Sequence, residues 1–537
     1  MMFRFLYIGF LPISFLFITL LATTSCRMPK SCDILIQYGH IYDGSGQEAF
    51  RGDIAIRGNK IVAVGDLSNY DAPMLIDASE LAVSPGFIDM HTHLDPLFRL
   101  PGSESHVRQG VTTALGGPDG GGPWPFGAYL DSAGRMGLGM NVAYLVGHNR
   151  IRREVMGLEQ RAPTEEELQR ICKMVDTAMN EGAFGISTGL KYLPGAFSEI
   201  EEVIELSKIA TAKGGIYTSH LREEGLGLLD AVQEAIRIGK EADIPIVLTH
   251  HKLVGKPMWG YSTRTLAMID SARALGIDVM ADQYPYNASY TGISILIPAW
   301  CRAGGNKAFR DRCQDPILYD SILNGTIFNI RNDRGGDDLR RVQFARVSWK
   351  AELEGKTLYD WTKMEGMDPS IENGAKLVLQ AQQNGGASCI FHAMDEGDVR
   401  RIMQHPQTMI GSDGRLTQPG EGHPHPRWYG TFPRVLGYYV REEGVLSLEI
   451  AIHKMTQMPA DRLGLSERGR IQPNTIADIV IFDPKTIIDK STFEEPHQYP
   501  EGIEYVFVNG QMVVKEGEFT SIRAGRVLRG PSWKGEN

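Results

Sequence analysis

Five side chains of metal-ligating type fall at or near the ends of β-like segments. His91 and His93 lie in "DMHTHLD", His220 closes "IYTSH", His250 follows "IPIVLT", and Asp413 follows "TMIGS". Neutral imidazole and carboxylate suit zinc and similar divalent ions. Each has an ordinary reading alone: the HxH as two polar side chains, His220 as a hydrogen-bonded core histidine, Asp413 before glycine as a turn residue. Their recurrence at one end of successive β segments points to a shared site for one or two ions. A bound ion lowers the pKa of water to about 7. Asp413 is then the candidate catalytic residue, because a carboxylate can hydrogen-bond water, accept its proton and also ligate metal. Alternate side chains of a strand share a face. Asp89, His91, His93 and Asp95 are therefore expected to point into the barrel or its mouth, with Ile88, Met90, Thr92 and Leu94 under the helices.

The elements that would position these residues alternate. β segments such as "GVTTAL", "NVAYLVGHN", "GAFGISTGL" and "IDVMADQYPY" are separated by helical stretches such as "TEEELQRICKMVDTAMNEG", where Thr164 and Glu167 form a capping box. With "AVSPGFIDMHTH" they make eight β segments, which predicts a closed (β/α)₈ barrel over 84–465 with its chemistry at the C-terminal strand ends. Short alternating β runs occupy 33–83 and 466–530 and predict one small β-sandwich domain built from both chain ends. More than a hundred residues separate "ADQYPYNAS" from "TMIGSDG". An inserted lid or small subdomain is expected there, around 290–347.

The chain has 537 residues, 42% of them hydrophobic and 22% charged, with a formal net charge of -10. That balance offers no basic excess for nucleic acid. Residues 1–26 combine Arg4, an apolar run broken by Pro12, and "TTSC". They read as a secretory signal, short for a spanning helix. "TTSC" resembles a bacterial lipoprotein processing site, although Thr23 stands where such sites usually carry Leu. Export is expected, to the periplasm or to a bacterial membrane through lipidated Cys26. Six cysteines are present without a CxxC pair. Cys301 and Cys313 could pair in an oxidising compartment or stay as thiols. Nothing in the sequence fixes an oligomeric state.

"PGFIDMHTHLD", "GAFGISTGLKYLPG", "SHLREEG", "THHK", "ADQYPYNAS", "GSDG" and "HPRWYGTFPRVLGYYVREE" together resemble the N-acyl-D-amino-acid deacylase branch of the amidohydrolase superfamily. The resemblance covers nearly the whole chain after residue 26. It implies a metal-dependent barrel with a small β domain that hydrolyses the amide bond of N-acyl-D-amino acids. His91, His93 and Asp413 would hold one ion, with zinc the expected metal, and His220 and His250 a second. Asp413 would return its proton to the leaving amine. One departure stands out: the family usually has "GNCG" after the second strand, its Cys a zinc ligand, and Asp119 takes that place. The bridge would then be Asp119 or a carbamylated Lys191 in "STGLKY", with Lys191 preferred. Tyr192, Lys252, Tyr284 and Ser289 fall in motifs that line the substrate pocket of the resembled family. Arg222 and Arg427 are further cationic candidates for substrate binding. His148 is expected to reach the mouth of the site, His251 to point away as a structural residue, and His423 and His425 to be substrate-side or structural. Two rivals remain: a dipeptidase or cyclic amidase on the same barrel, and a non-catalytic surface lipoprotein that binds a ligand.

Overall fold

The computed structural model describes residues 30–535, with Met1, Met2 and Gly9. Apart from those three residues, the segment 1–26 expected to be a secretory signal, with Cys26, lies outside the described residues. Among the described residues no helix is long and apolar enough to cross a membrane.

Eight parallel strands form the body: β1 (Phe87–Asp89), β2 (Val111–Gly116), β3 (Asn141–Tyr144, resumed at Val146–Gly147), β4 (Gly185–Gly189), β5 (Ile216–His220), β6 (Ile246–Leu248), β7 (Val279–Gln283) and β8 (Thr408–Ile410). They pair in sequence order. The seam between β8 and β1 closes just beyond the strands. There the Asp413 N–H donates to the His91 carbonyl at 2.8 Å, and Gly414–Arg415 runs parallel to Thr92–His93. One buried cluster takes Ile88, Leu115, Ala143, Phe184, Ile216, Val247, Met280 and Met409 from around the ring, and Met458 and Leu463 close it below. This is the packed interior of a barrel. The alternate residues, among them Phe87, Ala114, Val142, Tyr217 and Ile410, pack outward in the layer shared with the helices. Thr164 and Glu167 make the expected capping box on the helix Glu165–Asn180.

The facing expected for the first strand is corrected by this interior. Ile88 and Met90 face inward. Asp89 faces the opposite way, accepting hydrogen bonds from the Ser412 N–H at 2.8 Å and the Ser412 hydroxyl at 2.5 Å. The ladder of β1 stops at Asp89 and pairing resumes only at Thr92. That break resets the alternation and swings His91 and His93 to the rim. Asp95 is exposed.

Strands from both chain ends join in one nine-stranded sheet. The strand Ile479–Phe482 shows why it docks on the barrel. Ile479 and Ile481 face the sheet's own core, and Val480 and Phe482 face the barrel layer. The insertion is larger than expected. Ser289–Gly292, Val342–Arg346 and Ser388–Phe391 form a three-stranded antiparallel sheet. With the surrounding helices they enclose a separate core around Phe344, Trp361 and Leu377. Its end lies at Phe391, not near 347, because the strand that completes the sheet is far along the chain. Cys301 and Cys313 are free thiols. The helix Gly305–Arg312 stands between them, and the Cys301 thiol donates to the Pro298 carbonyl at 3.0 Å.

Candidate metal centre and active site

At the C-terminal rim two groups of ligand atoms meet. His91, His93, Asp119 and Asp413 form one; Asp119, His220 and His250 form the other; within each group the ligand atoms lie inside 4.8 Å of one another. Asp119 belongs to both. Its Oδ1 lies 3.5 Å from His91 Nε2, 3.3 Å from His250 Nε2 and 3.8 Å from His220 Nδ1, and its Oδ2 lies 3.6 Å from His93 Nε2. Asp413 Oδ1 stands 3.2 Å from His93 Nε2 and 3.6 Å from His91 Nε2.

The backbone strains to hold this set. Asp119, His250 and Asp413 all have left-handed φ angles, of 55°, 37° and 47°. Non-glycine residues take that region sparingly, and such outliers gather at functional sites. The loop carrying Asp119 is jammed against two neighbouring strands. A Cβ at Gly147 or Gly189 would fall 1.7 or 2.2 Å from the carbonyl oxygens of Gly121 and Asp119, so only glycine fits there. Asp282, at the end of β7, accepts the His250 N–H at 2.6 Å.

Several donor atoms lack partners. His91 Nε2 and Asp119 Oδ1 are buried without a hydrogen bond. Buried polar atoms are normally paired, and two orphans 3.5 Å apart fit divalent cations as the missing partner. Burial would depress His91, but Asp119 and Asp413 outweigh it and hold the imidazolium up at about 9. A cation entering there displaces that proton. Burial, against the pull of Glu224, pushes His220 down to about 3, the neutral form a ligand needs. Asp119 stays far below the usual carboxylate range, because His91 and His250 overcome its burial. Asp413 does so through Arg427, whose Nη1 lies 3.0 Å from Oδ2, and through His91.

Lys191 is not at the bridge. Its Nζ donates to Glu223 at 2.6 Å and lies 3.5 Å from Asp333, outside both ligand groups. The preference for Lys191 over Asp119 is therefore reversed: strand β4 ends at Gly189, and the turn that follows carries Lys191 toward the insertion. Arg222 is also corrected. It is consumed by Glu234, at 2.8–3.1 Å, and by the carbonyls of Ala196 and Ser198. His148 binds Glu202 at 2.8 Å behind the rim and does not reach the mouth. His251 is buried against Thr265 as a structural residue. His423 and His425 bond the carbonyls of Phe493 and Ala288.

A cavity of about 290 Å³ opens over the two groups. Tyr192, Lys252 and Ser289 line it; Tyr284 and Arg427 do not. Arg427 sits behind Asp413 with its guanidinium 4.5 Å from the Tyr284 ring centre, so both shape Asp413 rather than the cavity. The sequence reading missed Glu224, Arg334, Asp282, Arg415 and Trp428. Glu224 is the hub of the far side. Lys252 and Arg334 both donate to it, Arg334 at 2.8 Å. It also faces the outer nitrogens of two ligands, His250 Nδ1 at 3.4 Å and His220 Nε2 at 3.6 Å. A carboxylate there favours N–H on His220 Nε2 and leaves His220 Nδ1 free to ligate. Lys252 Nζ lies 2.7 Å from His250 Nδ1. The one available signal for Glu224 was its place four residues after His220; Arg334, deep in the insertion, had none.

Residues 366–514 match a family model described as the amidohydrolase family. The chain is 39% identical to a D-aminoacylase of Alcaligenes xylosoxydans xylosoxydans over 92% of its own length and 97% of the relative's. It is 38% identical to an N-acyl-D-glutamate deacylase of the same organism, over 94% and 97%. Among solved structures it resembles an N-acyl-D-glutamate deacylase from Bordetella bronchiseptica complexed with zinc and a phosphonate inhibitor, with a TM-score of 0.80, 34% identity and coverage of 93% of this chain and 100% of the other. With its metal-type rim and relatives matched almost end to end, the chain belongs to the N-acyl-D-amino-acid deacylase (D-aminoacylase) branch of the amidohydrolase superfamily.

Proposed function

We propose that this chain hydrolyses the amide bond of N-acyl-D-amino acids, giving a carboxylate and a free D-amino acid, with zinc as its metal. The observation that carries this reading is Asp413: its Oδ1 adjoins His91 and His93 at the floor of the cavity, beside a second ligand group joined through Asp119. Divalent cations held by these residues would polarise an acyl carbonyl and acidify water. Asp413 accepts the attacking water's hydrogen bond, takes its proton as the new C–O bond forms, and gives that proton to the nitrogen as the C–N bond breaks. An amine leaves as a neutral group only if it is protonated, so one carboxylate serves both halves of the reaction. Arg427 holds Oδ2 and leaves Oδ1 for this work. Its charge keeps Asp413 ionised at neutral pH. Asp119, in the place of the family's usual cysteine, is the proposed bridge. Lys252 and Arg334 present positive charge to the substrate carboxylate.

The test offers zinc-loaded protein matched N-acetyl-D- and N-acetyl-L-amino acids and follows free amine. Release from the D series is expected. Release from neither series, or a preference for L, sinks the reading.

The N-terminal segment supports a further reading, export and lipid anchoring through Cys26, on its signal-like pattern. Labelled palmitate should enter the expressed protein and be lost in Cys26→Ser; an unlabelled parent protein contradicts it.

A further inference from the structure

The cavity wall carries more positive charge than the ligand groups and their supports engage. Its lining holds three carboxylates, Asp119, Glu224 and Asp413, and three basic side chains, Lys252, Arg334 and Arg415. Asp119 and Asp413 belong to the ligand groups. Glu224 is shared by Lys252 and Arg334, and Asp333 lies 3.9 Å from the Arg334 Nε, so the charges of that cluster balance. Arg415 forms no ion pair among the described residues. Nearby carboxylates of the same rim are engaged, Asp413 by Arg427 and Glu421 by Arg99.

The backbone fixes where Arg415 stands. Gly414–Arg415 pairs with Thr92–His93, Arg415 opposite His93. Arg415 lines the cavity beside Asp413 and His93. It stands by the His91–His93 group. Lys252 and Arg334 stand by the other, through His250 and Glu224. Arg415 is therefore the one lining cation that no carboxylate compensates among the described residues. The wall beside Arg415 adds a second donor. Trp428 also lines the cavity, is 7% exposed, and has a buried Nε1 without an acceptor. Tyr290 packs edge-on against it at 5.1 Å and closes that side. A cation and an unpaired N–H in one wall make a receptor for a carboxylate.

We propose that the site is built for N-acyl amino acids with two carboxylates, those with an acidic side chain. One carboxylate binds at the Lys252–Arg334 flank; the other is received by Arg415 and the Trp428 N–H. This rests on the deacylase reading and narrows it. Near-equal identity to a D-aminoacylase and an N-acyl-D-glutamate deacylase leaves the choice to these residues.

The experiment compares N-acetyl-D-glutamate and N-acetyl-D-aspartate with N-acetyl-D-leucine on zinc-loaded protein. The expected kcat/KM ratio favours the acidic substrates by roughly tenfold or more, the scale of one charge-assisted contact. In Arg415→Leu that ratio falls by about tenfold, mainly through KM of the acidic substrates, and Arg415→Lys restores part of it. A parent ratio at or below one, or a ratio unmoved in Arg415→Leu, overturns the proposal. Calorimetry on Asp413→Asn protein with the same compounds separates binding from turnover. Tighter binding of the acidic compounds that is lost with Arg415→Leu upholds the receptor even if nothing is hydrolysed, and in that case the deacylase reading alone falls. Equal binding of acidic and neutral compounds overturns the receptor.

Discussion

At the barrel rim, ligands come from the ends of strands that share one packed interior: His220 closes β5, and His91, His250 and Asp413 follow within a few residues of β1, β6 and β8. The insertion over the rim is built otherwise. Its three strands are drawn from residues a hundred positions apart, it has its own core, and it lends the cavity Ser289, Tyr290 and Arg334. The rim carries atoms that must meet a cation within tenths of an ångström. The insertion meets them through Arg334, which donates to Glu224 beside His220 and His250. The division assigns bond breaking to the rim and substrate choice to the wall above it.

Substitutions can break or sharpen that division. The largest effect is expected from Asp413→Asn at the rim, where kcat should fall on the order of 10³–10⁴-fold with the fold retained. Activity within tenfold of the parent would move the proton transfer elsewhere. Asp119→Ala should weaken metal retention by about 100-fold or more and leave fewer ions per chain by atomic absorption. Unchanged metal content would remove it from the bridge. Arg427→Met tests the electrostatics. Arg427 lowers the pKa of Asp413, so its removal raises that pKa, and the acid limb of kcat/KM should move to higher pH. A limb that stays put, or moves to lower pH, contradicts the pairing. In the insertion, Arg334→Met should raise KM by about tenfold with a smaller change in kcat, as for lost ground-state binding. An equal loss in kcat would give the insertion a part in the chemistry. The smallest effect belongs to Lys191→Met, expected within about twofold in kcat/KM because its partners are Glu223 and Asp333.

The two regions also differed in how far the sequence could be read. The barrel was legible because eight β segments alternate with helices, and its ligands because histidine and aspartate at strand ends are few enough to stand out. Strict alternation failed at Met90–His91, where the β1 ladder breaks and Asp89 turns outward to Ser412. No periodicity reports such a break. Lys191 misled for a similar reason: the turn after Gly189 sends it away from the rim. Glu224 and Arg334 were hidden because Glu224 meets Lys252 and Arg334 only after a loop and an insertion fold together. The insertion's extent was hidden because Ser388–Phe391 completes a sheet begun at Ser289.

Anomalous diffraction from crystals of the zinc-loaded protein tests the central claim most directly. Two peaks are expected, one among His91, His93 and Asp413 and one between His220 and His250, with the Asp119 carboxylate touching both. Peaks away from these residues, or a carbamate on Lys191 bridging two ions while Asp119 turns aside, would contradict it.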